Sequence, residues 1–146
     1  MHTKTQAAIL IIALSAFAAY IALALLSTSI TVPNSATLRT VGLEAYWDEA
    51  CTNKVTSIEW GSLEPGQTKS VQIYIKNTGN TPETFSFTTE NWEPASASSY
   101  ITVEWDYDGT QVQPENSISV IFTLYVSPSI SDIESFTFDM IITGTS

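Results

Sequence analysis

Hydrophobic and polar positions fall into two regimes along this chain. From Ala7 to Leu26 the sequence reads AAILIIALSAFAAYIALALL, an apolar run without a single charge. About 20 such residues suffice for a helix to span a bilayer. Beyond Thr37 the pattern changes to period two. Val41, Leu43, Ala45 and Trp47 alternate with Thr40, Gly42, Glu44 and Tyr46. Similar alternation recurs at Ile58–Trp60, Val71–Ile75, Phe85–Phe87, Ile101–Tyr107, Ile118–Val126 and Phe136–Ile142. Period two over such stretches marks strands with one face buried.

Turn residues punctuate these segments. Leu63-Glu64-Pro65-Gly66, Asn77-Thr78-Gly79-Asn80-Thr81-Pro82, Asp108-Gly109, Gln113-Pro114-Glu115-Asn116 and Ser127-Pro128-Ser129 all carry turn chemistry. With no helical segment to serve as a crossover, about seven strands predict an all-β, Ig-like antiparallel sandwich, preceded by one N-terminal hydrophobic α-helix. The one non-strand stretch expected inside the domain is Asn91 to Ser99, where Ala95-Ser96-Ala97-Ser98 after Pro94 suits a single helical turn. Trp47, Trp60, Phe85, Phe87, Phe122 and Phe138 fall on apolar faces and are expected in the core. Trp92, Tyr74 and Tyr125 are expected at the surface, as anchors of a protein interface or as platforms for a sugar.

Between the two regimes lies a short segment with a pattern of its own. Leu26, Thr28, Ile30 and Val32 alternate with Ser27, Ser29 and Thr31, and Pro33-Asn34-Ser35 follows as a break. The segment is rich in β-branched residues. The organisation read from the sequence is therefore a cytosolic n-region (1–6), a hydrophobic helix (7–26), a β-competent arm and hinge (27–35) and an extracellular sandwich (36–146). Such an arm is either a stalk leading to the first strand or a donor strand that pairs with a neighbour's sheet edge. Head-to-tail donation is an open, heterologous contact and makes a fibre.

Three fates of the apolar run remain open. Ala22-Leu23-Ala24 is an A-x-A pattern suited to signal cleavage. The length equally suits a retained anchor. Small residues spaced four apart, Ser15/Ala19 and Ala18/Ala22, would let helices pack closely in a pilin-type core. Lys4, the positive flank, places the N-terminus inside and the C-terminus outside the cell. The membrane is thus a partner during export or as an anchor.

Charge and chemistry narrow the function classes. The chain has 146 residues and a formal net charge of −10. Arg39, Lys54, Lys69 and Lys76, the basic residues beyond position 30, are scattered, so no basic stripe exists for nucleic acid. The acidic surface predicts self-association that depends on ionic strength or cations. His2 is the sole histidine and precedes the apolar run. The domain therefore lacks the commonest general base and any His-based nucleophile pair or zinc site. Asp48/Glu49 and Asp106/Asp108 are pairs able to hold a hard cation, though neither has an EF-hand's ligand run. Cys51 is the only cysteine, so no disulfide forms within the chain. No catalytic, cofactor-binding or metal-ligating residue is nominated. The candidates are subunit contacts: Leu26, Thr28, Ile30 and Val32 for strand donation, and Ser15, Ala18, Ala19 and Ala22 for helix packing.

Three stretches carry a family likeness: Gly42-Leu43-Glu44-Ala45-Tyr46-Trp47-Asp48, Leu63-Glu64-Pro65-Gly66-Gln67, and Val71-Gln72-Ile73-Tyr74-Ile75-Lys76-Asn77-Thr78-Gly79-Asn80. With the leader, they resemble small archaeal surface proteins built from one helix and one sandwich. More loosely, the chain is similar to the TasA/camelysin class of biofilm fibre proteins and to archaeal bundling pili. The resemblance implies a non-enzymatic filament subunit whose main partner is its own copies. A membrane-anchored monomeric ectodomain binding a surface glycan or protein is the alternative.

Overall fold

The computed structural model describes residues 34–146. Eight strands occupy this part of the chain: β1 (Asn34–Val41), β2 (Leu43–Tyr46), β3 (Ser57–Glu59), β4 (Thr68–Asn77), β5 (Thr84–Glu93), β6 (Ile101–Trp105), β7 (Ser117–Val126) and β8 (Phe136–Thr145). They form two four-stranded sheets, ordered β3-β1-β8-β5 and β2-β4-β7-β6. The domain is thus mostly β, with apolar faces of the two sheets buried against each other. On β7, Val120, Phe122, Leu124 and Val126 point inward and are buried, while Ile121 and Tyr125 point outward. On β8, Phe136, Phe138, Met140 and Ile142 form the facing row.

The expected first strand is two strands. Gly42 sits between them at φ +75°, a conformation that glycine adopts at no steric cost. The chain bends there and changes sheets, so β1 belongs to one and β2 to the other. Strand count rises accordingly from about seven to eight. Nor is the sandwich wholly antiparallel. β1 and β8 pair in parallel, from Asn34↔Phe136 to Val41↔Thr143. A parallel pair needs a long connection. No helix is required here, because everything between the first and last strands serves as that connection.

Several placements differ from the periodic reading. Trp47 is 37% exposed, whereas Tyr46 is buried. Alternation stops at Tyr46, where β2 ends, and Trp47 N–H already donates to Asn53 O at 2.8 Å in the following loop. Trp92 is half-buried and stacks on Phe138, with ring centroids 4.2 Å apart and planes 10° apart. It belongs to β5, which runs through Glu93 after a register shift between Glu90 and Glu93. Asn91, at φ 53°, supplies the irregularity that the sequence presented as a loop. Phe87 and Tyr74 are half-buried, and Tyr125 is 42% exposed. The helical turn expected after Pro94 is a 3-10 helix, Ala95–Ser99.

β1 and β8 start at the same end of the sandwich, called here the lower pole. Asn34 and Ser35, expected in the hinge, are the first residues of β1. Asn34 is buried, and its Nδ2 donates to Gly61 O at 2.9 Å. A groove of about 370 Å³ opens beside it, between Glu59, Ser62, Phe136 and Thr137. The last strand ends at the opposite, upper pole.

Candidate assembly edges

The nominated contacts Leu26, Thr28, Ile30, Val32, Ser15, Ala18, Ala19 and Ala22 lie outside the described residues. The apolar run 7–26 lies there too. Among the described residues, no helix is long and apolar enough to cross a membrane. What the structure does define is the set of strand edges that an incoming segment would meet. β3 and β5 border one sheet, β2 and β6 the other.

The flank formed by β2 and β3 is closed. The chain between them folds back along both sheets: Val55 N–H donates to Ala45 O on β2 at 2.9 Å, and Leu38 N–H of β1 donates to Thr56 O at 3.0 Å. Asp48 organises this loop. Its carboxylate accepts the Thr52 hydroxyl at 2.7 Å and the Asn53 amide at 2.7 Å. Thr52 N–H approaches the same carboxylate at 3.1 Å. The Thr52 hydroxyl bond, followed by the Asn53 amide, holds Asp48 below the ordinary carboxylate range. Tyr46 donates its hydroxyl to Glu44, which also pairs with Lys54. That bond to Glu44 pushes the Tyr46 phenol up to about 12. Inside, Leu43, Ala45, Val55, Ile58 and Trp60 are all at most 6% exposed.

Among the described residues, the flank formed by β5 and β6 is closed only at its ends. At the upper end, Glu83 and Val112 exchange backbone hydrogen bonds of 3.0 and 2.8 Å. Phe85 N–H donates to the Tyr107 hydroxyl at 3.1 Å, which itself donates to Thr110 O at 2.7 Å. Asn77 secures this end. Its fully buried amide nitrogen donates to Thr81 O (2.8 Å) and Val112 O (2.9 Å), and its oxygen accepts Gly79 N–H (2.8 Å). At the lower end, the 3-10 helix packs against both β5 and β6 and buries Ala97.

Between these closures, inward-facing side chains stay partly open to solvent. Phe87, Val103, Trp105 and Tyr107 are each half-buried. Their rings interlock: Phe87 lies 5.5 Å from Trp105, and Trp105 lies 5.1 Å from Tyr107. Both reach down to Phe122, which is fully buried. Backbone parity shows which groups face outward. Tyr100 O accepts Ser127 N–H, and Asp106 N–H donates to Ile121 O, so the even positions of β6 turn toward β7. Ile101, Val103 and Trp105 therefore present N–H and C=O groups on the outer edge. On β5, the Glu83 and Phe85 bonds place the odd positions outward, which leaves Phe87 and Thr89 facing out. The rims of both strands are acidic, with Glu90, Glu93, Glu104 and Asp106 all exposed.

Three of the four carboxylates weighed as cation ligands have other partners. Asp48 is engaged as described. Asp106 Oδ1 accepts Ile121 N–H at 2.7 Å, and Asp108 Oδ1 accepts Thr110 N–H at 2.9 Å. Among the described residues, no group of three or more His, Cys, Asp or Glu is placed to hold a metal ion. Cys51 sits half-buried in the closed-flank loop.

The outer face of the second sheet is a field of hydroxyls. Ser70 and Thr123 bond across strands at 3.0 Å, and Gln72 donates to Ser119 at 2.7 Å. Ile121, 39% exposed, and Tyr125 stand out of it as apolar points. The sequence reading missed the half-open aromatic flank. Its signal was present in Ile101-Thr102-Val103-Glu104-Trp105-Asp106-Tyr107, where large inward residues alternate with acidic outward ones. No protein-family model matches the chain, and no curated protein is significantly similar to it.

Proposed function

We propose that this protein is a non-enzymatic structural subunit that assembles with copies of itself into an extracellular filament, using its N-terminal segment. The observation that carries this reading is the β5–β6 flank, an edge pair left open over apolar side chains. Exposed strand edges are templates for another chain, and monomeric proteins ordinarily blunt them. The sequence supplies the complementary part, an uncharged, β-competent arm directly before β1. The likeness to small archaeal surface proteins, with an Ig-like sandwich behind one hydrophobic helix, supports a cell-surface location with the C-terminus outside. Whether the arm donates a strand or the helix forms a filament core follows from the mature N-terminus. Intact mass of surface material distinguishes a start at Leu25 from one near Ala7. Electron microscopy of native material tests the assembly itself. Fibres are expected, and isolated particles under every condition would overturn the proposal.

A second reading, an anchored monomeric ectodomain that binds a glycan or protein, draws on Tyr125 and Ile121 on the hydroxyl-rich face. A chain that stays monomeric at high concentration and binds glycans would favour it.

A further inference from the structure

We propose that the arm Leu26–Val32 of a second copy fills the open flank and pairs with the outer edge of β6, extending that sheet to the order β2-β4-β7-β6-arm. This rests on the self-assembly reading above and names the surface it uses.

Among the described residues, β6 alone of the four edges combines length with access. β3 has three residues. The edge of β2 is occupied by the loop through Val55. β5 is bonded to Val112 and Tyr107 at its upper end and shifts register after Glu90. β6 offers three consecutive outward positions, Ile101, Val103 and Trp105, spanning about 17 Å at the usual rise. The arm's seven residues span about 23 Å when extended, enough to cover that edge with a residue or two over. Its pattern fits as well. Strand pairing at this edge points alternate residues toward Phe87 and Trp105, and the arm provides Leu26, Thr28, Ile30 and Val32 at those positions. Burying them there would cover rings that are now half-open.

Charge selects the occupant. Two open flanks meeting edge to edge would oppose Glu90, Glu93, Glu104 and Asp106 to themselves, and like charges opposed across strands are destabilising. The stretch from Ala7 to Leu38 carries no charged side chain, so an arm can enter where a second acidic edge cannot. A copy's own arm starts from the lower end of β1, with β8 between it and β5. A neighbour's arm meets no such obstruction.

The experiment uses the full chain with Cys51→Ser, Val103→Cys on β6 and a second cysteine in turn at Thr28, Ile30 or Val32. Paired strands bring Cα atoms within disulfide reach. Oxidation of assembled material is expected to give a ladder of covalent oligomers from at least one pairing. In parallel, Val103→Pro removes an outward N–H without touching the β7 ladder. It is expected to cut sedimentable polymer about tenfold or more while leaving the monomer's urea midpoint near wild type. Disulfides confined to single chains would overturn the choice of a second copy. Wild-type levels of polymer from Val103→Pro, with no ladder from any pairing, would overturn β6 as the acceptor and leave self-assembly standing. Absence of polymer from the unmodified chain would remove both.

Discussion

Where β2 and β3 border the sandwich, the intervening chain bonds to both sheets and the inward residues are dry. Where β5 and β6 border it, closure stops at the two ends and a row of rings stays half-wet. Both flanks share raw material, namely at least one strand of five residues or fewer, inward aromatics and outward acids. The difference lies in what the connecting chain does. On the closed flank Asp48 gathers the Thr52 and Asn53 donors and folds the loop back over the edge. On the open flank the β5–β6 connection is a 3-10 helix confined to one pole. An edge is sealed by a loop with its own hydrogen-bond organiser, and a strand without one remains available.

The largest test of this contrast is a paired truncation. Ile58→Ala, in the closed flank at 1% exposure, is expected to cost about 3 kcal/mol, whereas Val103→Ala at the half-open edge costs about 1 kcal/mol or less. Urea unfolding followed by far-UV circular dichroism measures both. Equal losses would mean that the flanks are equally sealed. Next comes Asn77→Ala. It removes the amide donor from Thr81 O and leaves Val112 O with Glu83 N–H alone at the upper closure, and is expected to cost about 2 kcal/mol. It should also raise amide exchange at Glu83 and Val112 more than at Val55.

Acid should act on the two flanks unequally. Asp48 and Asp108 both ionise more readily folded than unfolded, so each stabilises the fold above the unfolded carboxylate value near 4. That contribution is lost as pH falls through the folded value. Asp48 accepts bonds from Thr52 and Asn53, whereas Asp108 is held by Thr110 alone. The drop in urea midpoint between pH 7 and pH 3 should therefore shrink more in Asp48→Asn than in Asp108→Asn. A larger change in Asp108→Asn would reverse the assignment of the organiser. The smallest effect is expected from Tyr125→Ala, within about 0.5 kcal/mol, because its ring is outside both flanks. Loss of glycan binding in that variant would instead support the monomeric reading.

Much of the architecture was written in the period-two pattern. β4, β7 and β8 announce themselves by runs such as Ile118 to Val126, where burial follows every second residue. The boundaries were harder. Gly42 looks like an ordinary outward position until its positive φ sends the chain into the other sheet. Asn91-Trp92-Glu93 has loop composition, yet the stacking of Trp92 on Phe138 holds it in β5. The parallel pairing of β1 with β8 joins residues about a hundred positions apart, and no local pattern encodes it. The open flank was hidden for a related reason. Phe87 reads as core from alternation alone, and only the arrangement of both sheets reveals that no other described strand lies across it and Trp105 midway.

The parallel pairing of the first and last strands has a mechanical consequence. Tension along a filament joined through the arm would pull β1 downward at Asn34 against β8, which the rest of its sheet holds in place. The two would slide lengthwise rather than unzip, so their shared ladder, from Asn34↔Phe136 to Val41↔Thr143, would resist as a unit. In the proposed filament, that threading would load the first strand in shear.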